Sequence, residues 1–310
     1  MPVIEPFRWW ELTLQRWCKD GLTVEEANLV DYFGLDKHIQ IWIDPGPDDN
    51  PERGVGGGWN IGSVDDYIAA KRHLYIHNPL DPIKIAVVEA SHKSGDIFFW
   101  ISVEGFFWWP RVLFGIERHL YAFYDHLELM HRINRDLLEY NKEVLARVCR
   151  ISTPDFITVA EDMSYRSGSM ISQEHFNEFM RPYYLELVAY AKECGIPKVL
   201  VDTDGNFYQL IPWFHDECGV DGFVPVERNA GMDLVELRTR HPKLNLIGGF
   251  DKMKMSGSEA AMRAEFEHAL PALKTGGIVL CTDHQTPPEV SVECYKMYVR
   301  LLKKYAKMLR

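Results

Sequence analysis

The sequence has no apolar run approaching the roughly 18 residues that a membrane-spanning helix needs, so no transmembrane segment is expected. Its first residues, MPVIEPFRWWELTLQRW, lack a basic stretch followed by an apolar one, so no secretory leader is expected there. Cysteine pairing is missing too. Six cysteines are scattered over 310 residues with no CxxC spacing. That pattern predicts reduced thiols in a cytoplasm rather than a disulfide framework. An excess of positive charge is also absent: 34 Lys and Arg face 45 Asp and Glu, a formal net charge of −11. Such a balance argues against a general nucleic-acid binder and against an anionic membrane surface. No low-complexity linker or short-period repeat divides the chain, and no GxGxxG opens a dinucleotide-binding unit.

What is present is the composition of a globular protein, 46% hydrophobic and 25% charged. The length suits a single α/β barrel. Residues 44–62, DPGPDDNPERGVGGGWNIG, form the one long turn-rich segment, read either as a lid or as a plain surface loop. From residue 96 strands and helices alternate. DIFFWISV, DFITVAE, KVLVDTD, DGFVPVE, LNLIGGFD and GIVLCTD read as buried strands. Helices are expected over 113–150 with a break near Asp125, then over 172–193 with Ser172 as N-cap, 206–218, 230–240, 256–274 and 289–308. Two further strands, IQIWID and IKIAVVEA, are expected upstream. Eight strands in βα units predict a distorted (β/α)8 TIM barrel spanning 1–310 as one domain. Residues 1–95 form an N-terminal extension of helices, loops and first strands, and 96–310 the core βα units.

Nearly every strand ends in acid. Glu104 follows SV, Glu161 and Asp162 follow VA, and Asp202 and Asp204 lie in VDTDGN. Glu227 ends VPVE, Asp251 and Lys252 end IGGFDK, and Cys281, Asp283 and His284 lie in LCTDH. In a parallel barrel these ends meet on the face where active sites are built. Alternation lets Asp202 and Asp204 share a face, and likewise Cys281 and Asp283. Such density of carboxylates calls for a bound cation, raised pKa values or a cationic neighbour such as Lys252. The competing reading for a single strand-end Asp is a helix N-cap, and it applies to Asp204 and Asp251. Tyr165 and Arg166 follow a strand end, where substrate contact and loop packing are both open. Trp100, Phe106, Phe107, Trp108 and Trp109 straddle Glu104, either as core or as walls for a flat ligand. Arg181 is read as pairing locally and His215 as lying at the surface of a helix.

The segments EDMSYRSGSMISQEHFNEFMRPYYLELVAYAKECG, VDTDGN, GVDGFVPVE, LNLIGGFDK and DHQTPPEVSVE, in this order and spacing, resemble the uroporphyrinogen decarboxylase superfamily. The likeness is closer to its cobalamin-dependent methyltransferases, of the MtaA and CmuA type, than to true uroporphyrinogen decarboxylases. The latter are similar to one another at an Arg-bearing N-terminal segment and an early catalytic Asp. Here the N-terminus reads RWWELTLQRWCKDG and has neither. The methyltransferase branch carries a zinc site of a His-x-Cys pair and a late Cys. Those positions fall at Asp202-x-Asp204 and near Cys281, a more oxygen-rich donor set.

The resemblance implies methyl transfer between a small O-, N- or S-methyl compound and a corrinoid carried by a partner protein. Asp202, Asp204, Cys281, Asp283 and His284, with Glu227 beside them, would hold Zn2+, although Mg2+, Mn2+ or no metal stay open. Glu161, Asp204, Asp251 and His284 are the acid/base candidates. Glu104, Tyr165, Arg166 and Glu227 are the substrate contacts. Two other readings stand beside this one: a metal-free decarboxylase or lyase using raised-pKa carboxylates, and a non-catalytic binder of ligand or corrinoid. A homodimer is left open.

Overall fold

The computed structural model describes residues 1–46, 59, 61–75 and 82–309, with side chains described for all of these except 82–87. Most of the turn-rich segment (residues 47–58 and 60) lies outside them, and with it the reading as a lid.

In chain order the described strands are β1 (His38–Ile43), β2 (Phe98–Glu104), β3 (Phe156–Ala160), β4 (Ser164–Tyr165), β5 (Gly168–Ser169), β6 (Val199–Asp202), β7 (Gly222–Val226), β8 (Asn245–Phe250) and β9 (Ile278–Thr282). β4 and β5 form a small antiparallel hairpin. The other seven run parallel in one sheet whose spatial order follows the sequence, β1-β2-β3-β6-β7-β8-β9. A sheet wound in sequence order brings every C-terminal strand end to the same face. The inward residues Trp100, Phe156, Leu200, Val224, Ile247 and Cys281 fill the interior. The outward ones, among them Ile101, Val103, Ile157, Val159, Val199 and Val201, pack on the helices.

Those helices are α1 (Glu11–Lys19), α2 (Leu29–Phe33), α3 (Val64–Lys71), α4 (Pro82–Lys93), α5 (Trp108–Phe114), α6 (Ile116–Asp125), α7 (Leu127–Cys149), α8 (Gln173–Phe179), α9 (Arg181–Glu193), α10 (Leu234–Arg240), α11 (Glu259–Leu273) and α12 (Val292–Lys307). The break expected near Asp125 separates α6 from α7. Ser172 caps α8, accepting from the His175 N–H. The single helix expected over 172–193 is two, because Pro182 has no N–H to continue the ladder and sits instead in the first turn of α9. Over 206–218 only a short π-helical stretch, Pro212–Glu217, is regular.

One expected strand is wrong. IKIAVVEA lies within helix α4, which Pro82 opens. A short apolar run has no period that separates strand from buried helix, and proline in a first turn favours the helix. Among the described residues the barrel therefore has seven strands, and residues 1–9 occupy the gap between β9 and β1. On one side the Leu280 N–H points at the Met1 sulfur at 3.3 Å and Thr282 Oγ1 donates to Glu5 Oε1 at 2.5 Å. Trp9 makes a parallel bridge to Thr286. On the other side Val3 donates to the Asp36 carboxylate at 2.7 Å, and the Asp36 N–H donates back to the Val3 carbonyl at 2.8 Å. The N-terminal arm thus stands where an eighth strand would.

Candidate active site

Strand register sets the heights of the side chains in the barrel mouth. Glu104 of β2 lies beside Ala160 of β3, Ala160 beside Asp202 of β6, and Asp202 beside Val224 of β7. Side chains at matching heights on one face are neighbours, so two acids flank a methyl group and the small Ala160 leaves the space between them open. Lower in the barrel, Gln40 donates to Ser102 at 2.7 Å, and Ser102 and Thr158 share a hydrogen bond of 2.6 Å. A cleft of about 560 Å³ opens above this belt. Trp42, Trp100, Trp108, Phe156 and Phe7 are among its aromatic walls, and Glu26, Asp162, Asp202, Asp204, Arg8 and His284 are its ionisable groups. The arm closes one side with Phe7, Arg8 and Trp9.

Burial dominates the acids. It raises Asp202 to about 7, helped by the neighbouring charges of Asp204 and Asp162. No hydrogen-bond donor among the described residues reaches the Asp202 carboxylate. Glu104 is raised to about 8, again chiefly by burial, although Trp42 Nε1 donates to its Oε1 at 2.7 Å. Its Oε2 has no partner among the described residues. Asp162 is raised by burial and by Asp204, against the opposing Arg111, whose guanidinium stands 3.5 Å away. Its backbone is left-handed, φ 38°, a conformation that Asp tolerates better than most residues. His284 is the cationic counterpart. Its Nε2 stands 3.6 Å from Asp204 Oδ2, which raises its pKa, and its ring stacks on Phe7 at 5.8 Å.

These shifts have a consequence for stability. Glu5 and Glu104 are raised to about 8, and Glu161 and Asp202 to about 7. The folded chain keeps these protons where the unfolded chain has lost them. The stability they contribute is full below the ordinary carboxylate range and is lost as pH rises through 7 to 8. Below the ordinary histidine value the sign is opposed, because burial lowers His38 and holds His119 near 3. From about pH 6.5 to about pH 8.5 the carboxyls dominate and the raised His284 acts in the same direction, and stability is expected to fall across this window by about 2–5 kcal/mol. Thermal unfolding at matched ionic strength reads this as a falling Tm. A flat or rising Tm would show that these acids ionise freely in the fold.

Several other residues expected at the site are engaged elsewhere. Glu161 faces away from the cleft, because Thr158 and Ala160 take the inward positions of β3. It is fully buried and accepts from the N–H groups of Phe106 (2.9 Å), Phe107 (2.7 Å) and Trp108 (3.1 Å) and from the Tyr184 hydroxyl (2.5 Å). Gly105 makes this approach possible: a Cβ there would lie 2.2 Å from the Glu161 carboxyl carbon. Asp251 caps its own turn through the Met253 N–H at 2.9 Å, which is the N-cap alternative. Glu227 accepts from the Gly205 N–H at 2.8 Å and faces Lys252 at 3.8 Å. Tyr165 and Arg166 lie exposed on the β4–β5 hairpin, away from the cleft lining. Arg181 pairs locally with Glu217 at 3.4 Å. His215 is half-buried, its Nδ1 2.7 Å from the Val220 carbonyl.

The expected zinc donors do not assemble. Asp283 is buried with its oxygens on the N–H groups of Arg228 (3.0 Å) and Lys252 (3.2 Å). Cys281 lies inside the apolar layer with Trp100 and Phe156, where burial pushes its thiol well up. Asp202, Asp204 and His284 remain at the mouth. Among the described residues no three His, Cys, Asp or Glu side chains are grouped to hold a metal ion. The donor set therefore does not fit a tetrahedral zinc site, which takes four close ligands.

Gln40, Trp42 and Thr158 were missed by sequence reasoning, although alternation in HIQIWI and a lone Thr in FITVA marked them. Phe7, Arg8 and Trp9 had no such mark, since their place depends on contacts with β9 and its loop.

The family model for uroporphyrinogen decarboxylase matches residues 112–305. The chain belongs to this family. The matched region of this uroporphyrinogen decarboxylase family member carries Asp162, Asp202, Asp204 and His284, whereas Glu104, Trp42 and the arm precede it. No curated protein matches the sequence. Among solved structures the chain is similar to a putative vitamin-B12-independent methionine synthase from Listeria monocytogenes, at 12% identity over 99% of this chain and 96% of that one, TM-score 0.48. It is also similar to a B12-independent methionine synthase from Shewanella sp. W3-18-1, at 12% identity over 73% and 66%, TM-score 0.45. A D-psicose 3-epimerase from Clostridium cellulolyticum H10 matches at 14% identity over 88% and 98%, TM-score 0.46. Likenesses this shallow say nothing of activity.

Proposed function

We propose that this cleft catalyses metal-free methyl transfer from a small, flat, neutral methyl compound, with Asp202 as general acid. The observation that carries the reading is Asp202 itself. It is raised to about 7, faces the open cleft, and has no donor on its carboxylate among the described residues. A group of that kind holds a proton near neutrality and can give it away. In the reaction the bond from carbon to the heteroatom breaks with its electron pair left on the heteroatom, which takes the Asp202 proton. The methyl group passes to a nucleophilic acceptor, a reduced corrinoid presented by a partner protein. Glu104, raised to about 8, stays neutral behind the wall residue Trp42, which donates to it. The aromatic walls suit a flat donor molecule.

The charge of the cleft favours this reading over decarboxylation. A decarboxylase substrate brings a carboxylate, and here it would meet Glu26, Asp162 and Asp204, with Arg8 and His284 the only cations of the lining among the described residues. The test incubates the protein with methyl ethers, methylamines and methyl thioethers and with chemically reduced free cobalamin. Growth of the methylcobalamin absorbance with at least one neutral donor is the expected result. Release of CO2 from carboxylate substrates with no methylcobalamin, or no turnover of any donor, overturns it.

A further inference from the structure

A second cleft lies on the outside of the barrel, between α2 and α12. We propose that it docks an acidic segment of a partner protein. Lys296, Arg300, Lys303, Lys304 and Lys307 recur at steps of three and four along α12, so they form one stripe. They line a groove of about 730 Å³ with Tyr32, Phe33 and Val299, and among the described residues no Asp or Glu lines it.

Three of the cations have hydrogen-bonded or ion-paired partners, and Lys304 Nζ lies over the Tyr305 ring at 5.6 Å. Lys296 pairs with Glu293 at 2.8 Å, Arg300 with Glu259 at 2.6 Å, and Lys303 Nζ donates to the Phe33 carbonyl at 2.9 Å. Lys304 and Lys307 are exposed and have no carboxylate partner among the described residues. The groove is thus locally positive on a chain of net charge −11. Its floor is apolar: Phe33 and Val299 are buried, and Tyr32 stands 43% exposed at the rim. Cations above an apolar floor complement a segment that carries carboxylates and one or two apolar side chains. Nucleic acid fits less well. The stripe from Lys296 to Lys307 is about 17 Å long on one helix, and the surrounding surface charge repels a longer polyanion.

The probe is a fluorescein-labelled peptide of alternating Glu and Leu with one Phe, titrated by anisotropy at low salt against the whole chain. Saturable binding that weakens with added salt is expected. Lys304→Glu with Lys307→Glu is expected to weaken it roughly tenfold or more, and Lys304→Ala with Lys307→Ala to weaken it by less. Both pairs are exposed, and circular dichroism checks their folding. Absence of saturable binding, binding indifferent to both double variants, or equal binding of the matching Lys-for-Glu peptide overturns the proposal. Tighter binding of an oligouridylate or of phosphatidylserine-containing vesicles also overturns it. The variants leave the barrel mouth untouched, so the outcome is independent of the methyl-transfer reading.

Discussion

Asp202→Asn is expected to lower kcat/KM for methyl transfer about 10³-fold, the middle of the range for loss of a positioned general acid. The amide keeps the size and shape of the side chain, so the cleft and its walls stay in place and only the proton is lost. Thermal stability is expected to hold or rise slightly, because the variant removes an ionisable group that burial penalises. The pH profile supplies a second reading. Activity of the native chain requires the protonated acid, so kcat/KM is expected to be level on the acid side and to fall about tenfold per pH unit above roughly 7. Asp204 is one of the charges that raise Asp202. Asp204→Asn is therefore expected to shift the break to lower pH. An Asp202→Asn variant that keeps more than about a tenth of native activity would rule Asp202 out as the acid.

Glu161→Ala is expected to be the most damaging single truncation among the strand-end acids. Four donors end on that carboxyl, three of them the backbone N–H groups that lead into α5. A buried donor left without a partner costs about 1–3 kcal/mol, and such losses add incompletely. The expected total is about 4 kcal/mol, which for a domain of this size lowers Tm by about 5–10 °C. Glu161→Gln keeps one acceptor oxygen and is expected to lose roughly half as much. Denaturant unfolding of both variants measures the difference. If Glu161→Ala is as stable as the native chain, the carboxyl is not what fixes the start of α5. If Glu161→Gln folds normally and loses turnover, the residue acts in the chemistry instead.

Much of the fold was legible, because six of the seven sheet strands follow residue 95 and each apolar run ends in an acid. Which acid enters the cleft was less legible, and the reason is parity. β3 is buried on both faces, so FITVA shows little contrast between inside and outside. Thr158 was the one clue that inward positions are even-numbered there, and it turns Glu161 outward. β9 misled differently. Cys281 and Asp283 have the same parity, but the strand ends at Thr282, and Asp283 turns to the N–H groups of Arg228 and Lys252. A strand rule no longer applies one residue past the strand. The placement of the arm left no local trace, since Glu5 meets Thr282 across 277 positions of sequence.

That separation bears on how the chain comes off the ribosome. The βα units can stack one on another as they emerge, each on its predecessor. Residues 1–9 are made before every strand of the sheet, yet their site is complete only when β9 and its loop have been made. Through most of synthesis the arm has half a berth, beside β1 alone. Its apolar residues Ile4, Phe7 and Trp9 then stay exposed to whatever else is nearby. Closure of the ring is thus the last act of assembly, performed by a segment made before any of the strands, and a nascent protein stalled before β9 would be the form most in need of a chaperone.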